Sequence, residues 1–206
     1  MDVERIQLKI FADDGYKVDA NQAILLFHRW IKERVLPEQL VDVADYSHVH
    51  QGPNVALVGH ANDYYWDEGE GRTGLLCFRK REAPPPSERL KDAFRLTFSV
   101  AKRLETEPEF TNKPRFSTRE LLFRVVDRLN APNTEAGFAP LRSELQGFLE
   151  GVYQVPLSVA RFGSAAEPLS VRIRAERAPD LNTLLDRLGG SIFAAQKKQP
   201  RALKIA

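Results

Sequence analysis

The alternation of apolar and polar residues in the first half of the chain predicts short strands around one long helix. Apolar side chains recur at every second position over residues 5–11, which is the period of a half-buried strand. Asp19 followed by Gln22 is typical of a helix start, and Pro37 ends the helical run that follows. Short apolar runs predict three further strands, at residues 40–44, 54–58 and 74–78.

The second half of the chain begins after three consecutive prolines, residues 84–86, which form an extended linker. Ser87 is expected to cap a helix that carries a stripe of apolar residues at helical spacing. Asn133 with Thr134, and then Asp180, are expected to cap two more helices. Apolar runs predict strands at residues 122–126, 157–162 and 169–175.

These elements predict an α+β fold in which an antiparallel sheet carries its helices on one face. Residues 1–84 and 85–206 show the same order of elements, with one added strand in the first, which predicts two ferredoxin-like halves in one fused globular unit. Hairpins at residues 40–58 and 156–173, each with a proline before the second strand, indicate an internal duplication, although any two hairpins resemble each other weakly. If the two sheets join, their other face needs cover from a partner or forms a groove.

The net charge of the 206-residue chain is only +2, but the charges are divided unevenly. Residues 1–84 hold 10 basic and 14 acidic side chains, a net of −4, and all four histidines. Residues 85–206 hold 20 basic and 14 acidic side chains, a net of +6, and end in a basic tail from Lys197 that is expected to fray. This polarity favours head-to-tail packing or an anionic ligand on the second half, and two solvated surfaces also acquire it by chance.

Composition and motifs exclude several classes of protein. The single cysteine, Cys77, rules out an intramolecular disulfide and a CxxC metal site, and indicates a cytoplasmic location. No apolar run reaches the roughly 18–20 residues of a membrane span, and the charged start of the chain is unlike a signal peptide. The absence of GxSxG, P-loop and GxGxxG patterns argues against the common hydrolase, NTPase and Rossmann classes. The sequence identifies no cofactor.

Residues 42–67 contain three of the four histidines and four aspartates. His48, His50 and His60 are a candidate ligand set for zinc or a similar divalent metal, because imidazole is a common ligand of such ions. A catalytic hypothesis has the imidazoles move protons while a carboxylate orients one of them and a phenol donates to the substrate. It uses His48, His60, Asp45 and Tyr46. The spacing matches no metalloenzyme motif, and each histidine can equally be a scaffold group bonded to backbone.

Aromatic residues in the same window indicate a surface for a partner. Tyr64, Tyr65 and Trp66 are consecutive, so on an extended chain at least one ring faces outward. Flat rings beside polar groups are common in protein interfaces and in small-molecule pockets. We therefore predict an interface with a protein partner or a second copy of the chain, with a small-molecule ligand as the alternative.

Arginines on two predicted strands of the second half form a candidate anion site. Arg172 and Arg174 share one face of their strand, and Arg124 has the equivalent phase on the preceding strand. Guanidinium groups bind carboxylates and phosphates through paired hydrogen bonds, although such a stripe is more commonly the solvated face of a sheet. Nucleic-acid binding is not expected, because it needs a larger basic surplus or an aromatic platform.

The run DVADYSHV at residues 42–49, followed by GP, VGH and GLL, resembles chains of a bacterial protein family of unknown function. The resemblance covers most of the length and implies no activity, cofactor or site. The sequence therefore supports three hypotheses. They are a non-catalytic cytoplasmic binding or assembly protein that oligomerises through its sheet face, a small-molecule or metal-dependent enzyme centred on the His48/His60 hairpin, and an anion or nucleotide sensor.

Overall fold

One antiparallel sheet runs through both halves of the chain. The computed structural model describes residues 3–50 and 52–193, which form eight strands and four α-helices. The strands are β1 (Ile6–Ala12), β2 (Leu40–Asp45), β3 (Pro53–Gly59), β4 (Asn62–Asp67), β5 (Gly74–Arg79), β6 (Phe116–Val125), β7 (Leu157–Phe162) and β8 (Leu169–Ala175). The helices are α1 (Ala20–Glu33), α2 (Arg89–Leu104), α3 (Glu135–Tyr153) and α4 (Leu181–Arg187).

The order of strands in the sheet is β2-β3-β4-β5-β1-β6-β8-β7, and every neighbouring pair is antiparallel. β1 pairs with β6, so the halves at residues 1–84 and 85–206 contribute to a single sheet. The predicted α+β class with an antiparallel sheet is confirmed. The second half has the order β6-β8-β7, and the first half inserts β4 and β5 into the corresponding order. The internal duplication stays a prediction.

Three of the four helices begin at caps that the sequence predicts. Asp19 caps α1, Thr134 caps α3 and Asp180 caps α4, each by accepting a hydrogen bond from a backbone N–H of the first turn. The expectation for Ser87 is wrong, because this residue lies in a short 3-10 turn. α2 begins two residues later, at Arg89, without a side-chain cap.

The helices pack against one face of the sheet, and the hydrophobic core lies between the two layers. Strand positions that face the helices are apolar and buried, as predicted for Ile6, Leu8 and Ile10 on β1. α1 packs on β2 and β3, α2 on β1 and β5, and α3 on β7 and β8, while α4 packs against α2 and α3. Burial of each large apolar side chain stabilises the fold by roughly 1.5–3 kcal/mol. Among the described residues, this packing leaves the other face of the sheet without helices.

The sequence analysis did not predict strand β4. Its six residues are all polar or aromatic, so no apolar alternation marks it as a strand. Both neighbours, β3 and β5, pair with it along its length. The basic tail from Lys197 lies outside the described residues. None of the helices in residues 3–50 and 52–193 has the length and apolar composition needed to cross a membrane.

Candidate binding surface on the helix-free face of the sheet

The face of the sheet that is turned away from the helices, here called the open face, carries charged and aromatic side chains. It consists of the strand positions that alternate with the core positions. Direct register pairs join one row of this face across all eight strands. The row runs through Ala44, Ala56, Tyr65, Leu76, Lys9, Leu122, Arg172 and Ala160. A buried lysine therefore lies near the middle of a largely apolar row.

Lys9 is covered by the connection between β4 and β5, residues 68–72, here called the strap. The side chain of Lys9 is 0% exposed, and its Nζ lies 2.5 Å from Asp67 Oδ2. Nζ also donates to the backbone oxygens of Gly69 and Arg72, at 2.7 and 3.0 Å. A buried ammonium group is tolerated when it is paired and hydrogen-bonded. Lys9 thus fastens the strap to the open face.

Glu70, at the tip of the strap, has a left-handed backbone with φ of 60°. For a residue with a Cβ this conformation costs on the order of 1 kcal/mol. The carboxylate of Glu70 accepts a hydrogen bond from Lys9 and another from Arg124 of β6. These contacts hold the strained residue in place, and they neutralise one of the arginines that the sequence indicated for anion binding.

Three guanidinium groups surround one carboxylate beside the strap. Arg174 Nε donates to Glu120 Oε2 at 3.1 Å, Arg172 Nε lies 3.4 Å from Oε1, and Arg72 Nη1 lies 3.8 Å from Oε2. We call these four residues the Glu120 cluster. The Nε atoms of Arg72 and Arg172 are shielded from solvent and have no hydrogen-bond partner within the described residues. One carboxylate cannot satisfy three guanidiniums, so the cluster has a surplus of donors.

A cleft of about 800 Å³ opens beside the Glu120 cluster. The loop that follows β1, the strap, the start of β6, the start of β7 and the end of β8 form its walls. Its charged lining consists of Arg72, Arg119, Arg174, Asp13, Asp14, Glu120 and Glu176. The size is within the range of ligand sites, roughly 300–1,000 Å³. Of the three arginines that the sequence predicts to bind an anion, Arg174 is therefore the one whose side chain lines this cleft.

The three arginines of the predicted anion site do not form one group in the structure. Arg172 contacts Glu120 and its guanidinium carbon lies 5.0 Å from the centre of the Phe162 ring. Arg124 is paired with Glu70. All three side chains lie on the open face, as the alternation predicts, but only Arg172 and Arg174 share a partner.

The two histidines of the catalytic hypothesis lie at opposite ends of β3. His48 is in the turn before this strand and His60 directly follows it. Seven extended residues of about 3.3 Å each separate them by roughly 20 Å. His60 Nε2 lies 3.2 Å from Glu82 Oε1, and both side chains are exposed. The structure therefore does not bring His48 and His60 into one site, and the enzyme hypothesis loses the convergence that it requires.

The remaining residues of that hypothesis and of the metal hypothesis lie at the end of β2 and in the exposed turn between β2 and β3. Asp45 accepts a hydrogen bond from Ser47 N at 2.8 Å, and its hydrogen bonds with Ser47 hold the pKa of Asp45 below its usual range. Tyr46 and His50 are exposed in the same turn. Within the described part of the chain, no three His, Cys, Asp or Glu side chains are arranged to hold a metal ion. The set His48, His50 and His60 is thus not assembled, because a seven-residue strand lies between its members.

The predicted aromatic interface is divided between the two faces of the sheet. Trp66 is buried against Phe116, with ring centres 5.8 Å apart, on the side of the helices. Tyr64 is also buried there, and its hydroxyl donates to Glu38 Oε1 at 2.5 Å. Tyr65 alone of the three faces the open side, where burial and the neighbouring Asp63 raise its pKa. Alternation along β4 therefore leaves Tyr65 as the ring that a partner can reach.

Four residues of this surface were missed by sequence reasoning: Lys9, Glu70, Arg72 and Glu120. Each is charged and lies far in sequence from its partners, such as Arg72 from Glu120. One signal was available for Lys9, because a lysine in a strand with apolar neighbours on both sides is uncommon inside a fold. No family model and no curated protein matches the chain.

Proposed function

We propose that this protein is a non-catalytic cytoplasmic binding and assembly protein that pairs with a second copy of itself through the open face. The observation that carries the proposal is a broad sheet face that no helix of the described residues covers, whose partly exposed side chains include aromatic rings and arginines. Tyr, Phe and Arg are enriched in protein interfaces relative to the rest of the surface. The single cysteine suits a reducing cytoplasm.

Two arginine–aromatic contacts shape the open face. The guanidinium of Arg5 lies 5.3 Å from the centre of the Phe78 ring, and that of Arg172 lies 5.0 Å from the centre of the Phe162 ring. A guanidinium stacked on a ring keeps its in-plane N–H groups free for other acceptors. These contacts therefore offer flat apolar area and hydrogen-bond donors at the same place, as a protein partner requires.

The choice of a second copy rests on the distribution of charge over this face. Strand β2 contributes the exposed Asp42, whereas Asp63 and Asp67 of β4 are paired with Lys80 and Lys9. Strands β6 and β8 contribute Arg172 and Arg174 against the single carboxylate of Glu120, while Arg124 is paired with Glu70. A two-fold axis parallel to the strands, between two stacked open faces, places the β2 side of one copy over the β7 side of the other. In this arrangement the acidic side of each copy faces the basic side of the other copy.

The outline of the open face sets an upper limit on the area that a dimer buries. Eight strands about 4.8 Å apart, each about 20 Å long, cover roughly 700 Å². The strap already covers the middle of this area, where Lys9 is 0% exposed, so two such faces bury at most roughly 1,400 Å², against about 1,200–2,000 Å² for specific complexes of standard size. Sheets that pack face to face in this way keep their strands within about 30° of each other.

Light scattering coupled to size exclusion tests the assembly directly, and the expected mass is twice 23.4 kDa. Arg172→Glu is expected to raise the dissociation constant at least about tenfold, because it places like charges opposite each other. Adding Asp42→Arg to this variant restores the opposite charges and part of the affinity. The matched control is Leu25→Glu on the outer surface of α1, where 65% of Leu25 is exposed. A monomer at all concentrations contradicts the proposal.

Cross-linking tests the direction of the axis. Ala44 and Ala160 end the row that crosses the sheet, so the proposed axis brings Ala44 of one copy near Ala160 of the other. A variant with both Ala44→Cys and Ala160→Cys is expected to form dimers with a long, flexible bismaleimide, because the straps between the copies keep the sheets farther apart than the roughly 10 Å of directly stacked sheets. Each single variant is expected to remain uncross-linked, and the native Cys77 is buried. Cross-linking of Ala44→Cys alone would falsify the proposed axis.

A further inference from the structure

The cleft beside the Glu120 cluster has walls of both charges. Arg72, Arg119 and Arg174 bring three positive charges to its lining. Four carboxylates line it as well: Asp13, Asp14, Glu120 and Glu176. A ligand with negative charge alone meets the carboxylates, and a ligand with positive charge alone meets the guanidiniums. The lining therefore complements a ligand that carries both an anionic and a cationic group.

Several of these groups have no partner in the fold. The side chains of Arg119, Asp13 and Glu176 form no ion pair or hydrogen bond within residues 3–50 and 52–193. Arg72 makes ion pairs with Asp14 and Glu120, but its shielded Nε has no hydrogen-bond partner there. A donor that is shielded from water and unpaired costs free energy, which a ligand oxygen recovers on binding.

An edge of the sheet borders the same cleft. β7 is the last strand in the sheet order, and among the described residues no strand pairs with its outer edge. Residues 156–158, at the start of this strand, line the cleft together with Ala175 of β8. The outward backbone N–H and C=O groups of an edge strand are free to pair with an added strand. An extended peptide can thus hydrogen-bond to β7 while its charged groups enter the cleft.

We propose that the cleft binds a short extended peptide that carries an acidic and a basic group and pairs with the outer edge of β7. The guanidiniums of Arg119 and Arg174 receive the acidic group. The carboxylates of Asp13 and Glu176 receive the basic group. The backbone of the peptide extends the sheet by one strand. The cleft shares Arg174 with the open face, so peptide binding and the pairing of open faces compete for this residue.

Fluorescence anisotropy with a labelled seven-residue alanine–valine peptide that contains one glutamate and one lysine tests the proposal. Saturable binding is expected. Replacement of its glutamate or its lysine by glutamine is expected to weaken binding about two- to fivefold at low salt, because ion pairs with exposed side chains are screened by solvent. A proline in the middle of the peptide removes a backbone donor and is expected to abolish strand pairing.

Protein variants locate the site. Arg119→Gln is expected to reduce the preference for the peptide glutamate, because Arg174 remains, and Glu176→Gln is expected to reduce the preference for the peptide lysine, because Asp13 remains. Both side chains are exposed and without partners in the described fold, so the variants are expected to fold normally. Arg142→Gln, at an exposed position of α3, is the matched control. Equal binding of all the peptides, no saturable binding, or competition by inorganic phosphate alone overturns the proposal. Dimer mass measured on the same samples without peptide reports the pairing of open faces by itself, so failure of one proposal is distinguishable from failure of the other.

Discussion

Two clusters of charged side chains on the open face have opposite ratios of positive to negative groups. In the first, the single cation Lys9 is surrounded by the carboxylates of Asp67 and Glu70 and by two backbone oxygens. In the second, the single carboxylate of Glu120 is surrounded by three guanidiniums. The strap belongs to both clusters, because the backbone oxygen of Arg72 accepts a hydrogen bond from Lys9 and its guanidinium forms an ion pair with Glu120.

Burial separates the structural role of the first cluster from the role of the second. Lys9 is fully buried and its hydrogen-bonding groups are used, so nothing remains for a ligand. Around Glu120 the side chains of Arg72, Arg172 and Arg174 are 35%, 33% and 57% exposed, and donors remain unused. A buried charge whose hydrogen bonds are all satisfied thus holds the fold together, whereas the accessible, unused N–H donors around Glu120 are available to bind a ligand.

Removal of the buried cation is expected to have the largest effect. Lys9→Met leaves Asp67 and two backbone oxygens buried without their donor, and should lower the free energy of unfolding by about 3–5 kcal/mol. Urea denaturation measures this loss.

Alkylation of Cys77 gives a second measurement of the same effect. Burial raises the pKa of the Cys77 thiol to about 12, so at pH 8 the native protein should resist alkylation. Faster alkylation of Cys77 in the variant would report the increased opening of the sheet.

The control for this prediction is Lys17→Met, which removes an exposed lysine from the loop before α1. We expect it to change the free energy of unfolding by less than about 0.5 kcal/mol. If Lys9→Met and Lys17→Met have equal effects, Lys9 does not hold the strap and the contrast between the clusters is lost.

A pair of substitutions at Glu70 should have an intermediate effect and separate strain from charge. Glu70→Ala and Glu70→Gly both remove the carboxylate that contacts Lys9 and Arg124. Because φ at this position is 60°, the glycine variant should be more stable than the alanine variant by about 1 kcal/mol. Thermal or urea unfolding of the two proteins measures the difference. Equal stability would mean that the strap relaxes freely and that no strain is held at its tip.

Neutralisation of the central carboxylate of the second cluster is expected to have the smallest effect on stability. Glu120→Gln should lower the free energy of unfolding by less than about 1 kcal/mol, because its partners are partly exposed and solvent screens the ion pairs. The measurement is urea unfolding at low and high salt, and the small loss should shrink further as salt rises. A loss as large as that of Lys9→Met would show that the Glu120 cluster is a structural pair like the first.

Local pattern was sufficient for most of the fold. The caps at Asp19, Thr134 and Asp180 were predicted because a capping side chain bonds only to the next few residues. β4 escaped prediction because its polar residues are satisfied by neighbouring strands, which no local pattern reveals. Of the candidate sites, the shared face of Arg172 and Arg174 followed from alternation along one strand. The separation of His48 and His60 could not be predicted in the same way, because it depends on the length of β3, the strand that lies between them.

The sequence by itself determined the apolar period of most strands, the starts of three helices and the side of each strand that faces the core, because these follow from residues only a few positions apart. Tertiary structure decided which strands became neighbours, and therefore which charges meet. It placed the strap of residues 68–72 over Lys9 of β1 and brought three arginines to Glu120. Hydrophobic patterning specifies what must be buried, but it does not specify the order in which strands assemble across a sheet. The partners of every charge on the open face were therefore set by strand order and strap position.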